Sequence, residues 1–304
     1  MPKVNDDETS DNLKPYKFHG VDFHTEENGQ AIADCPFCGK EGKFSVEIDT
    51  GKFRCFVCGT GNERGGGNAY VFIRKLWEVS YESTKDYSEF LTNRKLLSSE
   101  TCVIWEIAKS FMTQDWLVPG YDASGKMNQL YRYIKTPDRY TLFPTPGLAG
   151  KFNHGLHGMG HFDKSKQEIY VCEGFGDGMT LWETLRQTKV TDDATLTLTA
   201  NESASMLSDI NVLATPGCLV FSSAWLPLFD NKVVCLLYDN DHERKHPKTG
   251  KMVVSGGFVG MQRAARMLLG AKNPPRQVNW LKWGERGFTE EYPTGYDVRD
   301  LINA

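Results

Sequence analysis

Two sets of side chains in this sequence have the types and spacing to hold metal, and they differ in hardness. Cys35, Cys38, Cys55 and Cys58 form a C-x2-C-x16-C-x2-C array. Each C-x2-C turn offers two thiolates to one ion while its backbone amides face the sulfurs, which suits tetrahedral Zn²⁺. The spacing falls within that of paired zinc knuckles, and a redox dithiol would need no second pair. Far downstream, acids gather in C-E-G-F-G-D-G (Glu173, Asp177), L-Y-D-N-D (Asp239, Asp241) and G-Y-D-V-R-D-L (Asp297, Asp300). Asp-x-Asp at a strand end brings both carboxylates near one edge, where they suit hard, oxygen-seeking Mg²⁺. Zinc for architecture and carboxylates for catalysis, in one chain, point towards nucleotidyl transfer on DNA.

Periodicity gives the elements that must carry these groups. Lys43 to Ile48 alternates, Asp49-Thr50-Gly51-Lys52 has turn chemistry, and Lys52-Phe53-Arg54 leads into the second cysteine pair. That pattern predicts a β-hairpin clasped by metal. So short a segment buries little core, and bound Zn²⁺ supplies the missing stability. Phe37, Phe53 and Phe56, with Lys40, Lys43, Lys52 and Arg54 among them, either stack on single-stranded bases or form the ribbon's small core. Gly59 to Asn68 is a flexible, glycine-rich stretch ending in an N-cap residue. Ala69, Phe72, Ile73, Leu76 and Trp77 then recur at helical spacing, and further helices are expected over 83–91 and 100–112.

Gln129 to Ile134 alternates as a strand after the turn Asp122 to Gly125, so a hairpin carries Arg132 and Lys135 outward. With Arg139 and Lys151 they form a basic segment that suits triphosphate or a template backbone, although a solvated strand face is the commoner fate of such charges. Gln167 to Cys172 reads as a buried strand running into Glu173-Gly174, followed by a helix with Met179, Trp182 and Leu185 on one face. Strand patterns recur at 196–198, 213–214, 231–238 and 277–283, with a helix over 258–269. Alternating strands and helices with acids at strand ends predict a parallel α/β unit, which places ligands at the C-terminal strand ends. His154, His157 and His161 lie in a glycine-rich run that seldom holds a metal, and read as a phosphate-near loop.

A chain of 304 residues predicts more than one domain. With 40% hydrophobic and 24% charged residues it has globular rather than disordered composition. No apolar run approaches the roughly 18 residues of a membrane span. The polar, acidic start offers no signal region, so the expected location is a reducing cytoplasm, that of the host cell if the gene is a phage's. There Cys102, Cys172, Cys218 and Cys235 are expected to be packing thiols rather than disulfides. The net charge of -4 argues weakly against nonspecific nucleic-acid binding. Basic clusters at 132–151 and 244–251 nonetheless leave salt-sensitive DNA contacts open.

The runs I-Y-V-C-E-G-F-G-D-G-M-T-L-W-E, V-V-C-L-L-Y-D-N-D and G-Y-D-V-R-D-L-I resemble the TOPRIM domain of primases, topoisomerases and certain nucleases. Upstream, C-P-F-C-G, C-F-V-C-G and G-G-G-N-A-Y-V-F-I-R-K-L resemble the zinc ribbon and following helix of bacterial and phage primases. The resemblance spans most of residues 31–304 and is strongest to the primase part of phage primase-helicases. It implies an α/β chain with a flexible tail (1–16), a zinc-ribbon template-binding domain (17–66), a helical connector (67–114), the N-terminal part of a polymerase core (115–165) and a TOPRIM domain (166–304). It further implies Glu173 as general base or Mg²⁺ ligand, Asp239, Asp241 and Asp297 as Mg²⁺ ligands, and Asp177 and Asp300 as supporting acids. Zn²⁺ would be structural, and Mg²⁺, or Mn²⁺ in its place, catalytic. Expected partners are a single-stranded DNA template, NTPs and a replicative helicase in a separate chain or a missing C-terminal half.

Two departures qualify the match. Bacterial primases often carry His at the second zinc position, and residues 242–255 form a long insertion after D-N-D. No Gly-Lys pair is followed by Ser or Thr, so the phosphate loop of a helicase motor is missing. The alternatives are a TOPRIM nuclease using the same acids and a non-catalytic zinc-dependent DNA-binding module. A topoisomerase would need a catalytic Tyr on further domains.

Overall fold

The structure is a computed structural model that describes residues 11–59, 65–92, 94, 97–137, 139–148, 154–190, 196–197, 206–245, 250, 252–253, 255–285 and 287–304. The chain divides into two compact units, one of residues 1–85, 107–119 and 127–153, the other of 86–106, 120–126 and 154–304.

In the first unit, β1 (Phe23–Glu27), β2 (Gln30–Ala33), β3 (Phe44–Glu47), β4 (Phe53–Cys55) and β5 (Gly66–Gly67) form an antiparallel sheet in sequence order. Alternation decides which face is buried: Ala31, Ala33, Phe44, Val46, Phe53 and Cys55 point inward. Against that face packs the apolar stripe Phe72, Ile73 and Leu76 of α2 (Ala69–Ser83), whose N-cap Asn68 side chain accepts from the Val71 amide at 3.2 Å. Residues 11–16, expected in a flexible tail, are ordered instead. Leu13 and Tyr16, the latter in α1 (Lys14–Phe18), are fully buried, and the Tyr16 hydroxyl donates to the Gly51 carbonyl at 2.6 Å. Residues 1–10 of that tail lie outside the described residues.

A second antiparallel sheet, ordered β6 (Ala108–Lys109), β7 (Trp116–Tyr121), β8 (Met127–Lys135), β9 (Tyr140–Pro144), also packs on α2. Ala108, Leu117 and Leu130 therefore join the same apolar cluster as the ribbon. The helix expected as a connector is the centre of this unit, because its buried face is shared by both sheets.

The second unit begins with α3 (Ser88–Leu91) and α4 (Ser99–Ile104), both shorter than their periodicity predicts. α2 already includes Ser83, and Thr84 closes it on the Ser80 carbonyl. Past α4, Glu106 takes φ 59°, outside helical geometry, and Ala108 pairs with Leu117. β10 (Glu168–Cys172) is followed by α5 (Phe175–Gln187), then β11 (Lys189–Val190) and β12 (Leu196–Thr197), which among the described residues pair with each other rather than with the main sheet. β13 (Ile210–Ala214), β14 (Val233–Leu237), the short ribbon β15 (Arg244–Lys245) with β16 (Met252–Val253), α6 (Gly256–Leu269), β17 (Gln277–Trp280) and α7 (Val298–Asn303) complete it. The main sheet is parallel with order β13-β10-β14-β17. Connections leave β10 and β14 in opposite directions, so the sheet has a topological switch point between these two strands. In open α/β sheets the crevice outside such a point receives ligands. Among the described residues, no helix is long and apolar enough to cross a membrane.

Candidate functional site

The four cysteine sulfurs in the first unit lie within 4.8 Å of one another. Cys35 Sγ is 3.7 Å from Cys58 Sγ, and Cys38 Sγ is 3.8 Å from Cys55 Sγ. Zn–S bonds of about 2.3 Å in a tetrahedron set sulfurs about 3.8 Å apart. The donors therefore have the spacing that Zn²⁺ requires, and the set fits the ion. β3 and β4 bring the pairs together, and the Cys58 amide donates to Cys55 Sγ at 3.3 Å. Burial pushes the Cys35 thiol up to about 11. At Cys55, burial also opposes ionisation, but the amides of Cys58 and Val57 outweigh it and draw the thiol down to about 7. Of the three phenylalanines, Phe53 is core and Phe37 packs on Phe72 at 5.7 Å. Phe56 is 57% exposed, with the Arg54 guanidinium 4.9 Å from its ring centre.

In the second unit the switch point gathers the acids. Glu173 follows β10 directly, and its carboxylate accepts from the Asp239 amide, beyond the end of β14, at 3.3 Å. The Asp241 carboxylate accepts from the Gly257 amide at 2.9 Å, in the first turn of α6. A Cβ on Gly257 would lie 2.4 Å from the Asp239 carbonyl oxygen, so only glycine lets this helix start against the strand end. Asp177 and Asp297 are buried and share Arg299. Arg299 Nε lies 2.6 Å from Asp177 Oδ1 and 3.1 Å from Asp297 Oδ2. Asp297 also caps α7, accepting from the Asp300 amide at 3.0 Å while the Asp300 carboxylate returns a bond to the Asp297 amide. Both oxygens of Asp297, implied by the resemblance as a Mg²⁺ ligand, thus already have protein partners.

Charge is crowded here. Burial, relieved in part by the Asp239 amide, and then the charges of Asp241, Asp177 and Asp297 push Glu173 up to about 8. Burial, followed by Glu173 and the other acids, pushes Asp239 up to about 10. Among the described residues, neither these two nor Asp241 forms an ion pair. Hard oxygen donors in mutual repulsion fit a divalent cation such as Mg²⁺, which would lower the cost of ionising them together. The acids are more widely spaced than the thiols: among the described residues the cysteines are the group of three or more ligands drawn within 4.8 Å.

The expected phosphate-binding cations lie in the first unit and divide. Arg132 is engaged: Nε donates to Asp115 at 2.9 Å, a second nitrogen bonds Asp115 again, a third donates to the Phe18 carbonyl, and the guanidinium lies 4.9 Å over the Phe18 ring. Alternation turned this side chain towards a carboxylate rather than outward, which corrects its reading as a phosphate ligand. Lys135 and Arg139 are exposed, and Lys151 lies outside the described residues. The histidine run is packing rather than a phosphate loop. His157 is buried, and His161 lies between Trp105 and Trp182 with Nε2 3.1 Å from the Val212 carbonyl.

Sequence reasoning gave no role to two residues that organise the acids. Arg299 stood inside G-Y-D-V-R-D-L, two residues after Asp297, while its other carboxylate, Asp177, lies 122 residues earlier in the chain. Asn240 stood as the spacer of D-N-D; it is fully buried, accepts from the Thr289 amide at 2.8 Å and donates to the Thr289 carbonyl at 3.0 Å, tying the strand end to the segment before Asp297. A buried amide inside an acidic motif is the signal that could have found it.

No family model matches the sequence, and no curated protein does. Among solved structures, the Aquifex aeolicus primase with its zinc-binding and RNA polymerase domains is 15% identical, with 97% of this chain and 82% of that one covered at a TM-score of 0.46. The primase fragment of the bacteriophage T7 primase-helicase is 17% identical, with 90% and 93% covered at 0.40. A DNA primase domain from Pseudomonas aeruginosa is 15% identical, with 77% and 74% covered at 0.47. These structural neighbours are bacterial and phage DNA primases.

Proposed function

We propose that the chain is a DNA-dependent RNA primase that makes short RNA primers on a single-stranded DNA template from NTPs. The observation that carries this reading is the convergence of Glu173, Asp239 and Asp241 at the switch point of a parallel sheet. The same chain holds a cysteine set with zinc spacing, and its acidic motifs resemble those of TOPRIM primases. Glu173, Asp239 and Asp241 would hold Mg²⁺ or Mn²⁺, with Asp297 and Asp177 fixed behind them by Arg299. Bound in a pair, such ions activate the attacking hydroxyl and stabilise the leaving pyrophosphate. The protein's own part is positioning: the Asp239 amide orients Glu173, the Gly257 amide orients Asp241, and Asn240 holds the segment that delivers Asp297. Positioning carries much of the barrier when two nucleotides must be joined without an existing strand. The cysteine ribbon, with Phe56 and Arg54 exposed, would engage the template.

The test is incubation of the pure protein with Mg²⁺, single-stranded DNA and labelled NTPs. Template-dependent oligoribonucleotides are expected. Nicked DNA instead would identify a nuclease using the same acids, and neither product would leave a zinc-dependent DNA-binding module.

A further inference from the structure

β17 is an edge of the parallel sheet: among the described residues it pairs with β14 and with no other strand. The Leu281 amide donates to the Leu236 carbonyl at 2.9 Å, so Asn279 and Leu281 face β14. The alternate residues Val278 and Trp280 therefore turn their N–H and C=O groups away from it. Among the described residues those groups have no hydrogen-bond partner. Beside this open edge, α6 and the chain from Trp280 onward line a cavity of about 410 Å³. Leu269 and Trp280 belong to its lining yet are 59% and 48% exposed, apolar surface left in water. Trp283, also in the lining, is fixed in orientation because its Nε1 donates to the Tyr238 carbonyl at 2.6 Å. Arg266 and Lys282 line the cavity as well, and Arg276 is exposed just ahead of β17. None of these three cations forms an ion pair among the described residues. The acids in the lining are Asp239 and Glu285, of which Glu285 is exposed.

We propose that this edge and cavity dock an extended, acidic segment of a different protein, which adds as a strand beside β17 and seats one large apolar side chain in the cavity. A strand edge with free amides and carbonyls is a template for strand addition, in which main-chain bonds give affinity and side-chain pockets give specificity. The aromatic lining suits a large apolar anchor, and a wall already fixed by the Trp283 bond lowers the ordering cost of filling it. Charge selects the occupant. Two copies of this chain pairing antiparallel about Asn279 would set Arg276 of one opposite Lys282 of the other, and like charges directly opposite are destabilising. Carboxylates on an added strand would instead meet the same two cations. Neither cation has a part in primer synthesis, so this docking stands or falls separately from the primase reading.

The test is selection of a phage-displayed library of random peptides on the full chain, followed by fluorescence anisotropy of the enriched peptides, synthesised and labelled. Peptides rich in Asp and Glu around one large apolar residue are expected. Trp280→Ala, and Arg276→Glu combined with Lys282→Glu, should each weaken their binding about tenfold or more and leave primer synthesis unchanged. All three side chains are exposed, so the fold should survive, and circular dichroism checks it. Val278→Pro, which removes an outward amide and none of the bonds to β14, should weaken binding as well. No enrichment, enrichment of basic or wholly polar peptides, or affinity indifferent to these variants would overturn the proposal. So would an equal loss of primer synthesis in the variants, which would place these residues at the substrate. A dimer of the unmodified chain in sedimentation velocity that dissociates in Trp280→Ala would also overturn it, the occupant then being a second copy. An unmodified chain that binds the acidic peptides but makes no primer would overturn the proposed function and leave this docking site standing.

Discussion

In the first unit four soft ligands lie within 4.8 Å of one another, two of them fully buried, at the edges a tetrahedral ion demands. In the second unit the oxygens of Glu173, Asp239 and Asp241 converge without closing to that spacing, and two buried acids behind them are tied to Arg299. A closed tetrahedron has no position left for a substrate, whereas an open set of acids does. One arrangement therefore converts metal binding into folding energy. The other leaves its acids crowded and without ion-pair partners among the described residues, at some cost to the stability of its unit, as the proposed metal and substrate site would require.

The largest effect that could break this comparison is removal of the zinc site. Cys55→Ser or chelation should unfold the ribbon sheet, because a structural Zn²⁺ site contributes on the order of 10 kcal/mol. Limited proteolysis and zinc content would report it. If the first unit stays protected without metal, its aromatic cluster of Tyr16, Phe44, Phe53 and Phe72 suffices and the ribbon is not metal-dependent.

Substitution in the acid set should act with the opposite sign on stability. Asp239→Asn is expected to lower primer synthesis by about 10³-fold or more, as loss of a charge-stabilising group does. It should also raise the thermal midpoint of the second unit by a few degrees, since an amide removes a crowded carboxylate on the order of 1 kcal/mol. Scanning calorimetry without divalent metal measures this. A midpoint that falls would mean that Asp239 is a structural acid.

Local chemistry explains how much of this was legible in the sequence. Cysteine spacing and strand-end acids were readable because both depend on neighbours close in the chain, and β8, β10, β14 and α6 follow their apolar patterns to within a few residues. Asn28-Gly29 carried a turn signal too: both residues have positive φ, joining β1 to β2 in a hairpin that alternation did not suggest. What could not be read is decided by partners distant in sequence. Arg132 faces Asp115 and the Phe18 carbonyl, 17 and 114 residues away, and α2 is a shared core element only because two sheets fold onto it. Asn240 finds its partner 49 residues on.

A third, smaller effect separates structural from functional cations. Arg132→Ala leaves Asp115 without its ion-pair partner and should destabilise the first unit by roughly 2 kcal/mol. DNA affinity should then change little once the fold is intact. Lys135→Ala with Arg139→Ala should leave stability nearly untouched and, if those exposed cations contact phosphates, lower both DNA affinity and its salt dependence. Fluorescence anisotropy at two salt concentrations distinguishes the outcomes, and an equal loss of affinity in both variants would return Arg132 to the binding surface.

The last effect is a pH dependence in which the two units should differ in sign. His19, fully buried beside Thr145 with Nε2 and Oγ1 2.8 Å apart, is pushed down to about 3 by burial, with the Arg132 charge adding to it. In the second unit, burial pushes His161 down to about 4, against the opposing bond to the Val212 carbonyl. Both imidazoles are neutral in the folded protein, while the unfolded chain takes up a proton near pH 6.5. Their stabilising contribution is therefore complete above pH 6.5 and is lost as pH falls, towards about 3 for His19 and about 4 for His161. The slope cannot exceed about 1.4 kcal/mol per pH unit for each site, so between pH 6.5 and 5 His19 should cost the first unit roughly 1–2 kcal/mol. In the second unit the raised carboxyls of Glu173 and Asp239, protonated when folded and ionised when unfolded, gain stability over the same range and outweigh the loss at His161. Urea unfolding read by proteolysis of each unit would resolve the two. His19→Gln, which can keep a donor near Thr145, should flatten the acid slope of the first unit and leave that of the second unchanged. A first-unit slope that persists in His19→Gln would place the proton uptake elsewhere in that core.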